Sequence, residues 1–383
     1  IKQLYVKGSK SNSDLCSHLN ISIPTSIGLL NELIAEGFVE KQGRGLSIGG
    51  RKPDLYGLKD DSLYVLSISM EQFSTNMAIF DNNNNKKTSI LTLSIPISKD
   101  LEAVETLCSN ANDLINESGI DREKLIGTGI SMPGLISSKE GINYTYLNSS
   151  GENQSLQELL EEKFKKPVYI QNDAKSSALA ELKFGLAKGK KDVLVLSMDW
   201  GIGLGIIMDG KLISGTSGFS GEFGHIPLSD EGLLCQCGKR GCLETVASST
   251  ALVQIAKEGI KSGEFSLLNN LSKEDLENLK AHHIIDAANK GDQFAIYILS
   301  KIGINLGKGI AVLIQLFNPE LIILGGKIAD AKQYISTPVQ HAINTYCMKQ
   351  LSEKTHIHLS ELGENAGIMG SIATVMDNIF ENH

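Results

Sequence analysis

Residues 218–225 read Gly-Phe-Ser-Gly-Glu-Phe-Gly-His, and residues 235–244 read Cys-Gln-Cys-Gly-Lys-Arg-Gly-Cys-Leu-Glu. Three of the six cysteines in the chain therefore lie within eight residues, and a histidine lies ten residues before the first of them. One imidazole and three thiolates are the ligand set of a closed, tetrahedral structural zinc site. Gly238 and Gly241 allow the backbone between the thiols to turn tightly. A cluster of reduced, buried cysteines is the simpler alternative, but this ligand set at this spacing rarely arises by chance. We predict a structural zinc site with the ligands His225, Cys235, Cys237 and Cys242.

Both segments resemble the signature of the ROK family, which is named for repressors, open reading frames and kinases. The run from Gly221 to His225 and the run from Cys235 to Glu244 match that signature in order and spacing. In the family this loop carries zinc and lends residues to a sugar site in the cleft beside it. The resemblance extends over essentially the whole chain. It implies an α/β fold with two actin-like lobes of the sugar-kinase (ASKHA) type, and it leaves open whether the chain is a kinase or a repressor.

The length and composition indicate a globular protein of two or three domains, since the chain has 383 residues. No run of eighteen apolar residues is present, so no transmembrane helix is expected. No signal peptide is visible, although the chain begins at Ile1 without a methionine. Cysteines that cluster as metal ligands suit a reducing compartment, and we expect the protein in the cytoplasm.

The net charge of −8 is unevenly distributed along the chain. Residues 1–59 hold eight Lys or Arg and five Asp or Glu, a net charge of +3, which leaves −11 for the remainder. A basic excess at the amino end is typical of a small nucleic-acid-binding module, although many soluble helices carry as much.

The first 59 residues predict a winged helix-turn-helix domain. A short helix is expected over residues 11–20, and a second helix runs from Ser22, a candidate N-cap, to about Glu36. The second helix of such a pair enters the DNA major groove. Two short strands around a basic, glycine-rich loop follow, and the sequence Gly-Gly-Arg-Lys-Pro at residues 49–53 is similar to the wing of ROK repressors, which kinase members lack. A small αβ unit without a DNA role is the alternative. The apolar stripe of the second helix is predicted to comprise Ile27, Leu30, Leu33 and Ile34.

Predicted DNA contacts come from the exposed side of the second helix and from the wing. The helix has no Lys or Arg early in its length, so we expect base reading to be modest, and the wing cations are candidates for phosphate or minor-groove contact. The predicted residues are Thr25, Ser26, Gly28, Leu29, Arg44, Arg51 and Lys52.

Residues 60–383 predict two α/β lobes, because two sets of hairpin strands are each followed by alternating helices and strands. Lobe one is expected over about 60–172 together with the C-terminal helix, and lobe two over about 173–365. Strands of lobe one are predicted at residues 63–70, 76–80 and 88–95. The Asp-Asn-Asn-Asn-Asn run at 81–85 is predicted to be a hairpin turn, because asparagine tolerates the left-handed backbone conformation.

Asn172 and Asp173 stand where a strand is predicted to end and a helix to begin, so Asp173 could simply cap the helix. The resemblance implies more, because ROK kinases place their catalytic base in this Asn-Asp-Ala element. Carboxylates and amides also suit a polyol, whose hydroxyls both donate and accept hydrogen bonds. Glu222 and Glu244 could instead only support the zinc loop, and His225 could contact zinc through one ring nitrogen and sugar through the other. The implied sugar-binding residues are Gly134, Asn172, Asp173, Glu222, His225 and Glu244.

The two phosphate-binding turns of ROK kinases are altered in this sequence. The family has Asp-x-Gly-Gly-Thr after the opening strand, whereas residues 67–71 read Ser-Ile-Ser-Met-Glu. The family's Gly-Thr-Gly-x-Gly turn corresponds to Asp-Trp-Gly-Ile-Gly at residues 199–203. Phosphoryl transfer needs backbone amides and metal-binding carboxylates around the triphosphate. We therefore predict that the chain is not an enzyme and that Asp173 is a vestigial base.

The sequence thus predicts a sugar-responsive transcriptional repressor of the ROK type. Its expected partners are operator DNA, a sugar or sugar-phosphate effector, and further copies of itself in a homodimer or homotetramer, with no membrane. An ATP-dependent sugar kinase with an appended DNA-binding domain is the alternative, since Asp173 is retained. A regulator whose signal is a protein instead of a sugar is a third possibility.

Overall fold

The computed structural model describes residues 1–45, 52–97, 102–147 and 154–381, which fall into two compact units. The first unit comprises Ile1–Ile130, Tyr146–Ile170 and Thr374–His383. The second unit comprises Ser131–Thr145 and Gln171–Ala373.

The helices are α1 (Lys2–Lys7), α2 (Asn12–Leu19), α3 (Ile23–Ala35), α4 (Glu102–Glu117), α5 (Leu156–Phe164), α6 (Asp173–Phe184), α7 (Glu244–Ala247), α8 (Ser249–Lys261), α9 (Lys273–Glu277), α10 (Ala281–Asn289), α11 (Gln293–Phe317), α12 (Gln333–Tyr346), α13 (Lys349–Ser352) and α14 (Ala366–Glu381). The strands are β1 (Lys10–Ser11), β2 (Val39–Arg44), β3 (Asp54–Leu58), β4 (Tyr64–Met70), β5 (Thr75–Asp81), β6 (Leu91–Leu93), β7 (Leu125–Met132), β8 (Ile136–Ser137), β9 (Ile142–Asn143), β10 (Val168–Asn172), β11 (Val193–Met198), β12 (Ile202–Met208), β13 (Lys211–Leu212), β14 (Leu321–Gly325) and β15 (His356–Leu359).

The N-terminal module, defined as elements α1 to β3, contains the two predicted helices. Ser11 starts α2 with a capping box, because its hydroxyl accepts the Asp14 N–H and the Asp14 carboxylate accepts the Ser11 N–H, both at 3.2 Å. Asn20 ends α2 in the left-handed conformation, and the Ser22 hydroxyl caps α3 by accepting the Thr25 N–H at 3.3 Å. Helix α1 and strand β1 were not predicted; β1 joins the hairpin in a three-stranded sheet of order β1-β3-β2.

The core of this module differs from the predicted apolar stripe at one position. Leu30 is buried and Leu33 and Ile34 pack against the core, as predicted, but Ile27 is 45% exposed. Ser26 takes the interior position one residue earlier. The prediction for Ile27 was wrong because the helix is rotated relative to the apolar pattern. The buried apolar residues are Leu4, Leu15, Leu30, Val39 and Leu58.

Two five-stranded sheets have the same strand order, which confirms the α/β class. One sheet has the order β10-β7-β4-β5-β6, and the other has the order β13-β12-β11-β14-β15. In both, the first strand in sequence lies at the centre, with the second and third on one side and the fourth and fifth on the other. Strand β12 pairs antiparallel with β11, whereas β14 pairs parallel with β11. The predicted third strand at 88–95 was too long, since only Leu91–Leu93 pair with β5.

Helix α11 is apolar and 25 residues long, so by length and composition alone it could cross a membrane. More than half of its most apolar window is buried inside the second unit. Its buried residues pack with those of α8, α10 and α12 in one hydrophobic cluster. The interior of a folded unit therefore accounts for the apolar composition of this helix.

Helix α6 lies unusually close to strand β12, and glycine makes this possible. A Cβ atom on Gly203 would lie 2.5 Å from the Ala174 Cβ. A Cβ atom on Gly205 would lie 2.9 Å from the Ala174 carbonyl oxygen and would overlap the Ala178 side chain. Because α6 begins at Asp173, this packing sets the position of the residues at its amino end.

We predict that Gly205→Ala destabilises the second unit, since α6 must move away from β12 to admit the methyl group. Overpacking of this kind costs about 1–3 kcal/mol. Urea unfolding would measure the change in the free energy of unfolding. Gly28→Ala is the matched control, because its Cβ would meet nothing within 4 Å and alanine is the better helix former. Equal stability of Gly205→Ala and the wild type would contradict the packing constraint.

Candidate functional site

The amino end of α6 brings three of the predicted sugar-binding residues together. Asn172 caps the helix, since its Oδ1 accepts the Ala174 and Lys175 N–H groups at 3.1 and 3.2 Å. Its Nδ2 donates to the Gly134 carbonyl oxygen at 3.2 Å. Asn172 thus ties the turn at Gly134 to the start of the helix that carries Asp173.

Asp173 carries a half-buried carboxyl group with a strongly raised pKa. Burial, together with the charges of Asp199 and Glu222, raises the pKa of Asp173 to about 7, while the hydrogen bond from the Ala174 N–H opposes the shift. A carboxyl group with this pKa is half ionised near neutral pH, so it can accept a proton or a hydrogen bond from a hydroxyl group. Because Asn172 is the N-cap of α6, the start of the helix does not depend on the Asp173 carboxylate, which can serve another role.

Lys175 belongs to the same cluster, although the sequence analysis did not single it out. Its side chain is buried, and its ammonium group donates to the Gly218 carbonyl oxygen. Burial lowers the pKa of Lys175, and the charges of Glu222 and Asp173 oppose that shift. Because Gly218 lies far from Lys175 in the chain, only the folded structure shows that the two residues meet.

Glu222 and Glu244 lie at the two ends of the loop that carries His225 and the three clustered cysteines. Glu244 begins α7, and its Oε2 accepts the Ile202 N–H at 3.2 Å, at the start of β12. Glu222 is more exposed, and its Oε2 lies 3.9 Å from the His225 Nε2. Burial raises the pKa of Glu222, while the neighbouring His225 and Lys175 lower it.

His225 has its two ring nitrogens directed at two different groups. Its Nδ1 lies 3.5 Å from the Cys235 Sγ, whereas its Nε2 faces Glu222. The imidazole therefore stands between the thiols and the carboxylates of the candidate site. This arrangement fits the predicted double role of His225.

The cysteine loop places the four predicted metal ligands in one cluster. The ligand atoms of His225, Cys235, Cys237 and Cys242 all lie within 4.8 Å of one another, and the Cys237 and Cys242 sulfurs are 3.6 Å apart. Zinc–sulfur bonds of about 2.3 Å in a tetrahedron require sulfurs roughly 3.8 Å apart, so this donor set fits a divalent metal ion. Gly238 and Gly241 both adopt positive φ, with values of 87° and 71°, as their predicted role in the turn requires.

Two carboxylates accept backbone N–H groups in or beside the altered phosphate turn at residues 199–203. Asp199 Oδ1 accepts the Lys327 N–H at 2.8 Å, directly after the glycine pair Gly325-Gly326. The Ile202 N–H in the same turn is taken by Glu244. A triphosphate at these amides would meet two negative charges, which disfavours its binding.

The predicted DNA-contacting residues are only partly exposed. Thr25, Gly28 and Leu29 are exposed on α3, but Ser26 is 3% exposed and faces the interior, so the expectation that it lies on the exposed side of the helix was wrong. Lys52 is exposed, and the Arg44 guanidinium lies 4.0 Å from the Asp54 carboxylate with most of its side chain in solvent. Arg51 lies outside the described residues.

Comparison with known proteins gives both repressors and kinases. The family model described as ROK family matches residues 66–378. A xylose repressor from Caldicellulosiruptor bescii is 30% identical over 381 residues, which cover 96% of this chain and 92% of that protein. A glucokinase from Halalkalibacterium halodurans is 35% identical over 269 residues, which cover 69% of this chain and 81% of that protein.

A solved structure of a transcriptional regulator has the same fold over nearly the whole chain. The crystal structure of a ROK family transcriptional regulator, a homologue of the Escherichia coli MLC protein, superimposes with a TM-score of 0.83 and 25% sequence identity. The superposition covers 99% of this chain and 94% of that one. The family model and the superposition both identify the actin-like, kinase-type α/β fold of the ROK family. The chain therefore belongs to the ROK family.

Proposed function

We propose that this protein is a sugar-responsive, DNA-binding transcriptional repressor. The observation that carries the proposal is the end-to-end match to a xylose repressor over 96% of the chain, where the glucokinase match covers 69%. The repressor match therefore includes most of the N-terminal module, which a sugar kinase does not need.

The N-terminal module, within residues 1–59, is proposed to be the DNA-binding domain. Helices α2 and α3 are joined by the short turn at Asn20–Ser22, and α3 presents Thr25, Gly28 and Leu29 to solvent. This is the helix-turn-helix arrangement, in which the second helix reads the major groove. Arg44 and Lys52 flank the tip of the β2–β3 hairpin, where they are placed to contact phosphates.

The sugar is proposed to bind at the amino end of α6, against Gly134, Asn172 and Asp173. Carboxylate oxygens accept hydrogen bonds from sugar hydroxyls, and the amide of Asn172 can do both. Glu222, the His225 Nε2 and Glu244 supply further partners from the opposite side. A sugar-phosphate would have to place its phosphate away from these three carboxylates.

The metal is proposed to be a structural zinc ion held by His225, Cys235, Cys237 and Cys242. Zinc favours the thiolate form of its cysteine ligands and has no open position in such a site. Its effect would be to fix the loop that carries His225 and ends next to Glu244. The ion thereby orients two sugar-binding residues without contacting the sugar.

The repressor is proposed to act in the cytoplasm as a homodimer or homotetramer, since paired operator half-sites require paired recognition helices. Sugar changes DNA affinity only to the extent that it binds the DNA-bound and free arrangements differently.

A sugar kinase with an appended DNA-binding domain is the second candidate, because Asp173 is present with a pKa of about 7, which suits a catalytic base. The carboxylate at Asp199 disfavours it, since it stands in the altered phosphate turn and accepts the Lys327 N–H directly after Gly325-Gly326.

Calorimetric titration distinguishes the two candidates. We expect one member of a panel of sugars, amino sugars and sugar-phosphates to bind, while ATP–Mg²⁺ titrated separately gives no heat. That sugar should then change the affinity of the protein for a DNA duplex selected from a random library. Clear ATP binding followed by phosphate transfer to the sugar would establish the kinase instead. If no sugar in the panel changes the affinity of the protein for DNA, a regulator that responds to a protein signal would be favoured.

The half-buried Asp173 carboxyl group should make stability depend on pH. Its pKa of about 7 lies above the ordinary value of 3.8, so the folded protein binds more protons between these pH values and its stability falls as pH rises through that window. The cost at pH 8 is about 4 kcal/mol at most. In urea unfolding, Asp173→Asn should therefore be more stable than the wild type by a larger margin at pH 8 than at pH 5. Its sugar affinity should fall about tenfold or more.

The exposed Asp330→Asn is the control. An Asp173→Asn variant with the same relative stability at both pH values would contradict the burial of this charge.

Removal of one thiol should remove the metal. We expect Cys237→Ser to lose roughly one zinc ion per chain in elemental analysis, and to unfold at a lower temperature because a structural metal contributes folding free energy. Cys347→Ser, in the same unit but outside the cluster, should keep its metal. Undiminished zinc in Cys237→Ser would show that the four residues are not the ligand set.

A further inference from the structure

The asparagine-rich turn at residues 81–85 is a structured element for which the proposed function has no use. The Asp81 Oδ1 accepts the N–H groups of Asn83 and Asn85, both at 2.8 Å. The Asp81 Oδ2 accepts the Asn85 side-chain amide at 3.1 Å. Asp81 therefore fixes the turn from inside, and the side chains of the three asparagines 82–84 are directed at other segments.

Asn82 holds the connection between the N-terminal module and strand β4. Its side chain is 2% exposed, and its Oδ1 accepts the Ser62 N–H and Ser62 hydroxyl at 3.1 Å and the Leu63 N–H at 3.3 Å. Its Nδ2 donates to the Lys59 carbonyl oxygen at 3.1 Å. One buried amide thus satisfies both ends of the connecting segment 59–63.

Two further contacts hold the same segment. The Asn83 side-chain amide donates to the Asp60 carboxylate. The Lys87 ammonium group, just beyond the turn, lies 2.7 Å from the Asp61 carboxylate. A connection that could have been a flexible linker is therefore bonded at each of its five residues, Lys59, Asp60, Asp61, Ser62 and Leu63.

Tyr5 provides a second anchor of the N-terminal module, close to the same turn. It lies on α1 next to Leu4, which is part of the module's core, and Tyr5 itself packs against that core. Its ring packs on Phe380 of α14 with centroids 5.4 Å apart, and the Asn84 side chain of the turn lies near its hydroxyl group. Burial raises the pKa of Tyr5, so the hydroxyl stays protonated.

We infer that the turn 81–85 and Tyr5 form a clasp that fixes the N-terminal module to the sheet β10-β7-β4-β5-β6, with Asn82 and Tyr5 as positioning residues for the DNA-binding surface. Joined domains move relative to one another unless their contact is extensive, so a module on a short polar linker would reorient freely. The clasp instead makes the module a rigid extension of a sheet whose strands β4 and β5 are paired from Tyr64–Asp81 to Met70–Thr75. Its consequence for DNA rests on the proposed function, but the clasp itself does not.

Hydrogen exchange of the full-length protein tests the clasp without DNA or sugar. Asn82→Ala removes the four side-chain bonds, so amide exchange in the peptide over 59–63 should accelerate about tenfold or more, while strands β2 and β3 stay protected because the module remains folded. Trypsin should then cut after Lys59 and release the module. Asn112→Ala is the matched control, since it also loses two side-chain bonds in the first unit, to Arg122 and Cys108, away from the clasp.

The outcomes separate the clasp from a general structural role. Faster exchange confined to 59–63 and α1 supports the clasp, and unchanged exchange there in Asn82→Ala overturns it. Loss of protection in β2 and β3 at the same rate also overturns it, because the module would then depend on Asn82 to fold. If Asn82→Ala does not fold, Asn83→Ala and Tyr5→Ala decide: a several-fold faster exchange over 59–63 in the first and over α1 in the second supports the clasp, and unchanged exchange in both overturns it.

Binding to the selected duplex then tests the consequence for DNA. We expect Asn82→Ala to bind it about tenfold more weakly with sugar affinity unchanged, since a freely oriented module loses the fixed spacing of paired half-sites. A wild-type protein that selects no duplex would refute the repressor proposal while leaving the clasp intact. Unchanged affinity in a variant with a released linker would refute the positioning role alone.

Discussion

Strand β12 can be approached closely from several directions, and the candidate site depends on that. Gly203 and Gly205 admit α6 and its terminal Asp173, while Gly224 lets the turn that carries His225 lie against the Ile202 carbonyl oxygen. The Ile202 N–H binds Glu244. Residues that are more than fifty positions apart in the chain therefore meet on one strand, because that strand presents almost no side chains to them.

The carboxylates around β12 support the proposal that this kinase-type fold senses a sugar without using a nucleotide. Asp199 accepts the Lys327 N–H, and Glu244 accepts the Ile202 N–H. Burial, together with the charges of Asp199 and Glu222, keeps the pKa of Asp173 high. An uncharged polyol tolerates such surroundings, whereas a triphosphate does not. The buried Lys175 offsets part of this charge and holds the Gly218 segment at the same time.

The N-terminal module shows how polar contacts determine the placement of a domain. Its own core is small, with five buried apolar residues among those that the structure describes, yet buried amide bonds from Asn82 and the Tyr5–Phe380 contact fix it in place. Such bonds are directional, so they define an orientation that apolar contact alone would leave adjustable. Recognition of paired half-sites requires a defined orientation.

The sequence by itself determined the candidate metal-binding cluster, the class of fold and the main helices, because those depend on local spacing. Cys235, Cys237 and Cys242 lie close enough in the chain that a glycine-permitted turn brings them together, and Ser22 and Asn172 cap their helices through neighbouring amides. Only the tertiary structure decided which side of α3 is buried, since the exposure of Ile27 and the burial of Ser26 follow from packing against distant strands. The bond of Lys175 to Gly218, that of Asp199 to Lys327 and the bond of Asn82 to Lys59 each join segments more than twenty residues apart, for which local pattern gives no signal.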